Sequence, residues 1–323
     1  MCSIVLSFIS LKAVFKKKLS IRAKETGKLV QALVPNREKV MKIFRQTMMT
    51  GLARIAGITA IVIAATGSSF AGETLDRIMD KKTLVISTDA EYPPQSSLNA
   101  DNEFVGFDID VGRAIAKYLG VEAEFVTPGW DVITAGHWSG RWDMSVGSMT
   151  PTKKRAEVLD FPAIYYFTPA ALVVHEKNTS ILSTKDASGH KVGVGVSTTY
   201  ESYLKKNLVI DAENVPEFSY IINDADIRTY DTDLLALDDL RLGDGVRLDA
   251  AFTALPTVLE AKKKGYPIKI VGPEALFMEP LAIATDKGDA ELNAKIKEAV
   301  SALREDGTLS RLSEKWYGGD LTQ

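Results

Sequence analysis

The chain has 323 residues, 46% hydrophobic and 25% charged, with 39 Lys/Arg against 42 Asp/Glu and a formal net charge of −3. These are globular values for a chain long enough for one large or two modest cores, which excludes extensive disorder, collagen and coiled coil. One Cys excludes a disulfide scaffold and a thiolate zinc site, three scattered His make no His-rich metal centre, and no uncharged apolar run reaches the roughly 18 residues of a membrane helix.

The charge is unevenly spread. Residues 1–71 hold 12 Lys/Arg and 2 Asp/Glu, whereas the remaining 252 hold 27 and 40, a net of −13. Lys42, Arg45 and Arg54 precede an eleven-residue apolar stretch, Ile55 to Ala65, and a polar piece, Thr66 to Ser69, leads to Phe70 and Ala71. A basic flank, a short apolar run and small residues at Ser69 and Ala71 are the layout of a secretory signal peptide. A buried core helix is the bland alternative. The expectation is a signal over 41–71, starting at Met41 and cleaved near Ala71, with residues 1–40 an over-extended gene start. Cys2 leaves with them, and no Cys follows the apolar stretch to carry a lipid anchor. The mature chain is expected in the periplasm, soluble and free of thiols. Its negative charge disfavours nucleic-acid binding, which needs a basic surface.

Taken in chain order, Thr83 to Thr88 read as a strand. Val111, Ala114, Ile115, Tyr118 and Leu119 fall on one helix face, with Asp108 able to cap the start and Gly120 able to end it. Val121, Ala123, Phe125 and Thr127 alternate with Glu122 and Glu124 as in a strand, and Asp143 to Val146 read as another. Pro151 or Thr152 is expected to open a short helix containing Arg155. The scheme restarts with a strand over Val192–Val196 and a helix from Glu201 to Lys206. Strands follow at Leu248–Phe252 and Ile268–Val271, then a strongly helical end from Ala290 to Trp316. Strand–helix alternation of this kind argues for parallel sheets covered by helices. Two α/β lobes with a ligand cleft between them are the economical arrangement.

The stretch Gly106 to Leu119, GFDIDVGRAIAKYL, resembles the signature of family 3 bacterial extracellular solute-binding proteins, the polar-amino-acid receptors of ABC importers. Other segments in order extend the resemblance over most of residues 83–318: Ser87–Pro94, Gly147–Arg155, Leu159–Pro162, Ala302–Thr308 and Trp316–Gly318. It implies a two-lobed periplasmic-binding-protein fold of type II, with two crossover hinge strands near Phe167–Val173 and Ala275–Ile283. Lobe 1 is expected over 72–170 and 276–323, and lobe 2 over 171–275.

Each motif also has its own chemistry. Asp89 follows the first strand, at an end that faces the crevice of an open α/β sheet, where an acid can pair with an ammonium. A turn-forming Asx role is the alternative. The resemblance places an acid for the ligand's distal polar group at Asp89, and pocket aromatics at Tyr92 and Trp130, able to clasp an alkyl-ammonium. Core packing is the alternative for both rings. Gly147, Ser148 and Thr150 end the Asp143–Val146 strand. Arg155 matches the family's carboxylate-binding arginine and Thr150 its hydroxyl partner. A guanidinium suits a carboxylate because it binds through two N–H groups; a solvated Arg in a basic run is the alternative. From the second lobe, Thr199 and Tyr200 match positions that close over the carboxylate, though Thr199 can also be a simple helix cap.

One departure stands out. The family carries an acid for the ligand's α-ammonium where this chain has Ala254. Asp231 or Asp233 can replace it, or Asp89 or Glu91, or the ligand lacks a free α-ammonium. Two acids near the pocket mouth tilt the expectation toward a cationic ligand. The function implied is capture of a small polar, amino-acid-like solute by a monomer that hands it to ABC permease membrane subunits, with no metal or cofactor. The rival is a periplasmic enzyme of the same fold, dehydratase-like and acting on a small carboxylic acid. His137, His175 and His190 fall outside the matched motifs, and Asp89 or Glu91 would need a raised pKa to serve as a general acid.

Overall fold

The computed structural model describes residues 72–272 and 275–323. The stretch read as a signal peptide, its expected cleavage point and Cys2 lie outside them. Nine strands make one sheet, in the order β5 (Glu122–Val126), β1 (Thr83–Ser87), β6 (Met144–Met149), β12 (Met278–Asp286), β7 (Leu159–His175), β10 (Ala250–Ala254), β8 (Lys191–Gly195) and β9 (Asp226–Tyr230), with β11 (Ile268–Ile270) also pairing β7. The pairs at both ends are parallel, β5–β1–β6 and β10–β8–β9. The pairs in the middle are antiparallel. The expectation of parallel sheets therefore holds only at the flanks. The 17-residue β7 explains why: its first part pairs with β12 and its last part with β10 and β11, so one long strand joins both sets. A small sheet of β2 (Glu91–Tyr92), β3 (Ser96–Leu98) and β4 (Phe104–Val105) lies apart from it.

Apart from a smaller cluster around Ile133, Trp138 and Trp142, buried apolar side chains gather in two regions. One joins Leu84, Ile86, Phe107, Val111, Ile115, Met144 and Val146 to Leu281, Ile283, Ile296 and Val300. The other is built from residues between Ala170 and Phe277, including Val192, Val194, Tyr203, Phe252, Leu237 and Val258. The eight helices of the described residues cover these groups: α1 (Glu73–Lys81), α2 (Phe107–Leu119), α3 (Trp130–Thr134), α4 (Thr199–Leu204), α5 (Asp233–Leu240), α6 (Leu255–Lys263), α7 (Ala290–Glu305) and α8 (Thr308–Tyr317). None is long and apolar enough to cross a membrane.

The helix expected around Val111 forms, but Asp108 does not cap it. The cap position is Gly106 at φ 135°, where a Cβ would stand 2.2 Å from the Gln95 carbonyl oxygen, so no other residue fits without moving backbone. Asp108 instead lies inside the first turn, fully buried, accepting hydrogen bonds from Tyr165 (2.6 Å) and Ser148 (2.7 Å). The short helix expected to open at Pro151 or Thr152 and to contain Arg155 is only a three-residue 3-10 turn, Arg155–Glu157. The helical end is two helices, α7 and α8, because Gly307 takes a left-handed φ of 74° between them.

Candidate functional site

The carboxyl ends of four strands, two from each parallel flank of the sheet, meet at one cleft. After β1 comes Asp89, after β6 Thr150, after β8 Val196, and after β9 Asp231 and Asp233. A strand's carboxyl end leaves backbone groups and the next loop facing the crevice, which is where α/β sheets take ligands. All ten residues singled out from the sequence border this cleft: Asp89, Tyr92, Trp130, Gly147, Ser148, Thr150, Arg155, Thr199, Tyr200 and Asp233. The three histidines lie elsewhere.

Arg155 is 7% exposed and lies 5.4 Å from the Trp130 ring centroid. Two of its N–H groups donate to the carbonyls of Thr150 (2.9 Å) and Ser197 (2.8 Å), one on each side of the cleft. The fork has five N–H donors in all, so the remaining donors are not used by these bonds. Burial pulls its pKa down to about 10, opposed by the nearby Glu279 charge, so it stays cationic at neutral pH. The bland reading of Arg155 as a solvated surface charge is therefore excluded.

Tyr92 and Tyr200 bring their hydroxyls to 3.3 Å across the cleft. Asp89 does form the Asx turn, accepting from the Glu91 N–H at 2.7 Å, and borders the cleft as well. Burial raises its pKa, against that hydrogen bond. Thr198, not Thr199, caps α4, accepting from the Glu201 N–H. Thr199 is left free to turn its hydroxyl inward.

Ser148 has a left-handed φ of 54°, unusual for a residue with a side chain. Its N–H donates to the Tyr165 hydroxyl at 3.0 Å, and its own hydroxyl sits between Asp108 and Tyr166. Asp108 thus acts through Ser148 as a positioning residue beneath the cleft wall. Burial raises its pKa to about 7, and the two donated hydrogen bonds only partly offset that.

Asp233 opens α5 and is 6% exposed. It accepts from the Gly195 N–H (2.8 Å) and the Thr253 hydroxyl (2.7 Å). Thr253 is the neighbour of Ala254, so Asp233 reaches the end of β10 that bears no acid of its own. Burial pushes its pKa to about 7, with the Asp89 and Glu279 charges adding to the rise. Gly195 sets this geometry: a Cβ there would stand 2.5 Å from Asp233 Oδ1. Gly195→Ala is expected to expel the Asp233 carboxylate and lower ligand affinity about tenfold, with about 1–3 kcal/mol of stability lost to overpacking. Titration calorimetry and thermal melts of the variant check both.

Sequence reasoning missed Glu279. It stands on β12 opposite Thr168, 2% exposed, and accepts hydrogen bonds from Thr150 (2.9 Å), Tyr200 (2.6 Å) and Thr199. Burial raises its pKa, opposed by those three hydroxyls and by Arg155. The available signal was an acid near the start of a strand whose middle, Pro280 to Ala284, is apolar and buried.

The described residues hold no cluster of His, Cys, Asp and Glu arranged for a metal. Chemically, the cleft combines a cationic guanidinium at Arg155 with acids whose pKa values burial raises.

Residues 84–319 match the model of bacterial extracellular solute-binding proteins, family 3. The L-cystine-binding protein TcyJ of Escherichia coli strain K12 is 31% identical over 287 residues, 88% of this chain and 100% of TcyJ. An ancestral arginine-binding protein solved with arginine is 35% identical at a TM-score of 0.63, covering 73% of this chain and 99% of that one. An ancestral amino acid-binding protein described as a precursor of cyclohexadienyl dehydratase, AncCDT-1, is 32% identical at a TM-score of 0.64, covering 76% and 99%. Together with the mixed α/β sheet and its cleft, these matches show that the chain belongs to family 3 of the bacterial extracellular solute-binding proteins.

Proposed function

We propose that the protein captures a small amino acid whose far end carries a positive group and delivers it to the membrane subunits of an ABC importer. The observation that carries this reading is the buried Arg155 guanidinium, bordering the cleft against Trp130. It takes the guest's carboxylate, with Trp130 and Tyr92 against the guest's chain. Asp233 takes the ammonium that Ala254 cannot, and Asp89 meets the distal cation. The names of the relatives, which bind cystine and arginine, support an amino-acid guest.

Binding draws lobe 1 (72–170 and 276–323) onto lobe 2 (171–275) about β7 and β12, because a guest touching both sides favours the closed form by its differential affinity. The protein acts as an exported monomer whose leader is removed near Ala71. The likeness to a dehydratase precursor keeps an enzyme of the same fold as the second reading, since buried acids with raised pKa are what a general acid needs. Titration calorimetry against lysine, arginine, ornithine, cystine and neutral amino acids, with mass spectrometry of the recovered guest, tests both. The expected result is one unaltered guest per chain, bound best when it carries a distal cation. No binding of any amino acid sinks the proposal, and chemical turnover replaces it with the enzyme.

A further inference from the structure

The two hydroxyls matched by resemblance to the guest's carboxylate, those of Thr150 and Tyr200, are already engaged, and so is that of Thr199. Thr150 and Thr199 both donate to Glu279, and Tyr200 donates to its second oxygen. Thr150 comes from the end of β6, while Thr199 and Tyr200 come from the first turn of α4, so one internal carboxylate gathers donors from both walls of the cleft. Glu279 is on the same cleft surface as Arg155, Asp89, Asp231 and Asp233, and its charge is felt at Arg155, Tyr92 and Asp233.

We infer that Glu279 is a specificity-determining residue that excludes guests whose second carboxylate stands without an ammonium beside it. The argument is one of donors and charge. A guest's first carboxylate has Arg155, whose fork is only partly used by two backbone carbonyls. A second carboxylate finds the three hydroxyls taken by Glu279 and meets the acids Asp89, Asp231 and Asp233 on the same cleft surface. Desolvating an anion with no donor and like charges nearby is expensive. A distal ammonium meets the opposite field. Selectivity thus comes from a built-in repulsive element as well as from attraction.

The inference rests on the amino-acid reading above, and the experiment separates the two. Affinities for lysine and glutamate are measured by titration calorimetry for the wild type, Glu279→Gln and Glu279→Asp, each checked by a thermal melt. The wild type is expected to prefer lysine at least ~100-fold, a difference of about 2.7 kcal/mol. Glu279→Gln removes the charge and is expected to shrink that preference at least ~tenfold, whereas Glu279→Asp keeps the charge and most of the preference. A wild type that binds glutamate within tenfold of lysine overturns the inference even if Glu279→Gln does not fold. An unchanged ratio in a folded Glu279→Gln overturns it too, as does Glu279→Asp behaving like Glu279→Gln. A wild type that binds no amino acid at all fails the proposed function itself.

Discussion

Arg155→Ala is expected to weaken binding of a carboxylate guest by about 3 kcal/mol, or ~150-fold in Kd. In a water-poor cleft a guanidinium holds a carboxylate through charge and paired N–H donors together. Alanine leaves that carboxylate buried without a partner, and the cost includes its desolvation as well as the lost attraction. The same change takes away the cation that lowers the pKa of Glu279, which burial already raises, so Glu279 shifts further toward its neutral form. The Thr150 and Ser197 carbonyls, drawn together by one side chain, also lose their shared donor. Arg155→Lys separates charge from geometry: a point charge on a flexible stem cannot keep both backbone bonds and present a fork to the guest. An intermediate loss of ~tenfold is expected. Titration calorimetry on folded protein measures both, and binding by Arg155→Ala within threefold of the wild type would remove the carboxylate role altogether.

The sequence made the site more legible than the sheet. Arg155, Trp130 and Asp89 were readable because the motifs from Ser87 to Arg155 resemble those of the family, which implies a pocket place for each; their chemistry alone left a solvated charge, a core ring and an Asx turn open, and all three border the cleft. The deficit at Ala254 pointed to four acids, Asp231, Asp233, Asp89 and Glu91, or to a guest without an α-ammonium; of the four, Asp233 accepts from Thr253, the neighbour of Ala254. The joining of both strand sets along β7 was not readable, since hydrophobic alternation identifies a strand without naming its partners. Asp108 was misread because an acid at a helix start is usually a cap. Here Gly106 already ends the chain's approach, and Asp108 turns inward to two tyrosines and Ser148. Glu279 escaped because no local motif surrounds it. Its meaning comes from Thr150 and Thr199, which are 129 and 80 residues away in the chain. Its only local trace is a violation, a charged residue in a run that is buried on both sides, and such violations are where function is to be sought.

Asp233 gives the second large effect, and its sign depends on pH. Burial raises its pKa from 3.8 to about 7, with help from the Asp89 and Glu279 charges and against the bonds from Thr253 and Gly195. A guest ammonium placed beside it favours the carboxylate and brings the pKa back down. Below about pH 7 binding must therefore expel a proton, so affinity for an ammonium guest is expected to fall by up to ~tenfold per pH unit as the pH drops from 7 toward 5, and to level off above 7. Calorimetry at pH 6 in buffers of different ionisation enthalpy reads the released proton directly. Stability of the ligand-free protein runs the opposite way. A folded-state pKa above the unfolded value means that Asp233 contributes most below pH 3.8, and that this contribution is lost as the pH rises through about 7. Asp108 adds a stability change of the same sign, but it lies behind Ser148 and not on the cleft surface, so it contributes to the melting curve and not to the binding slope. Asp233→Asn is expected to lose ~100-fold in affinity for an ammonium guest at pH 8 and to flatten the slope between pH 5 and 7. A guest without an α-ammonium should lose far less. If Asp233→Asn keeps the wild-type slope, or weakens both guests equally, then another acid of the cleft receives the ammonium, and Ala254 is compensated elsewhere.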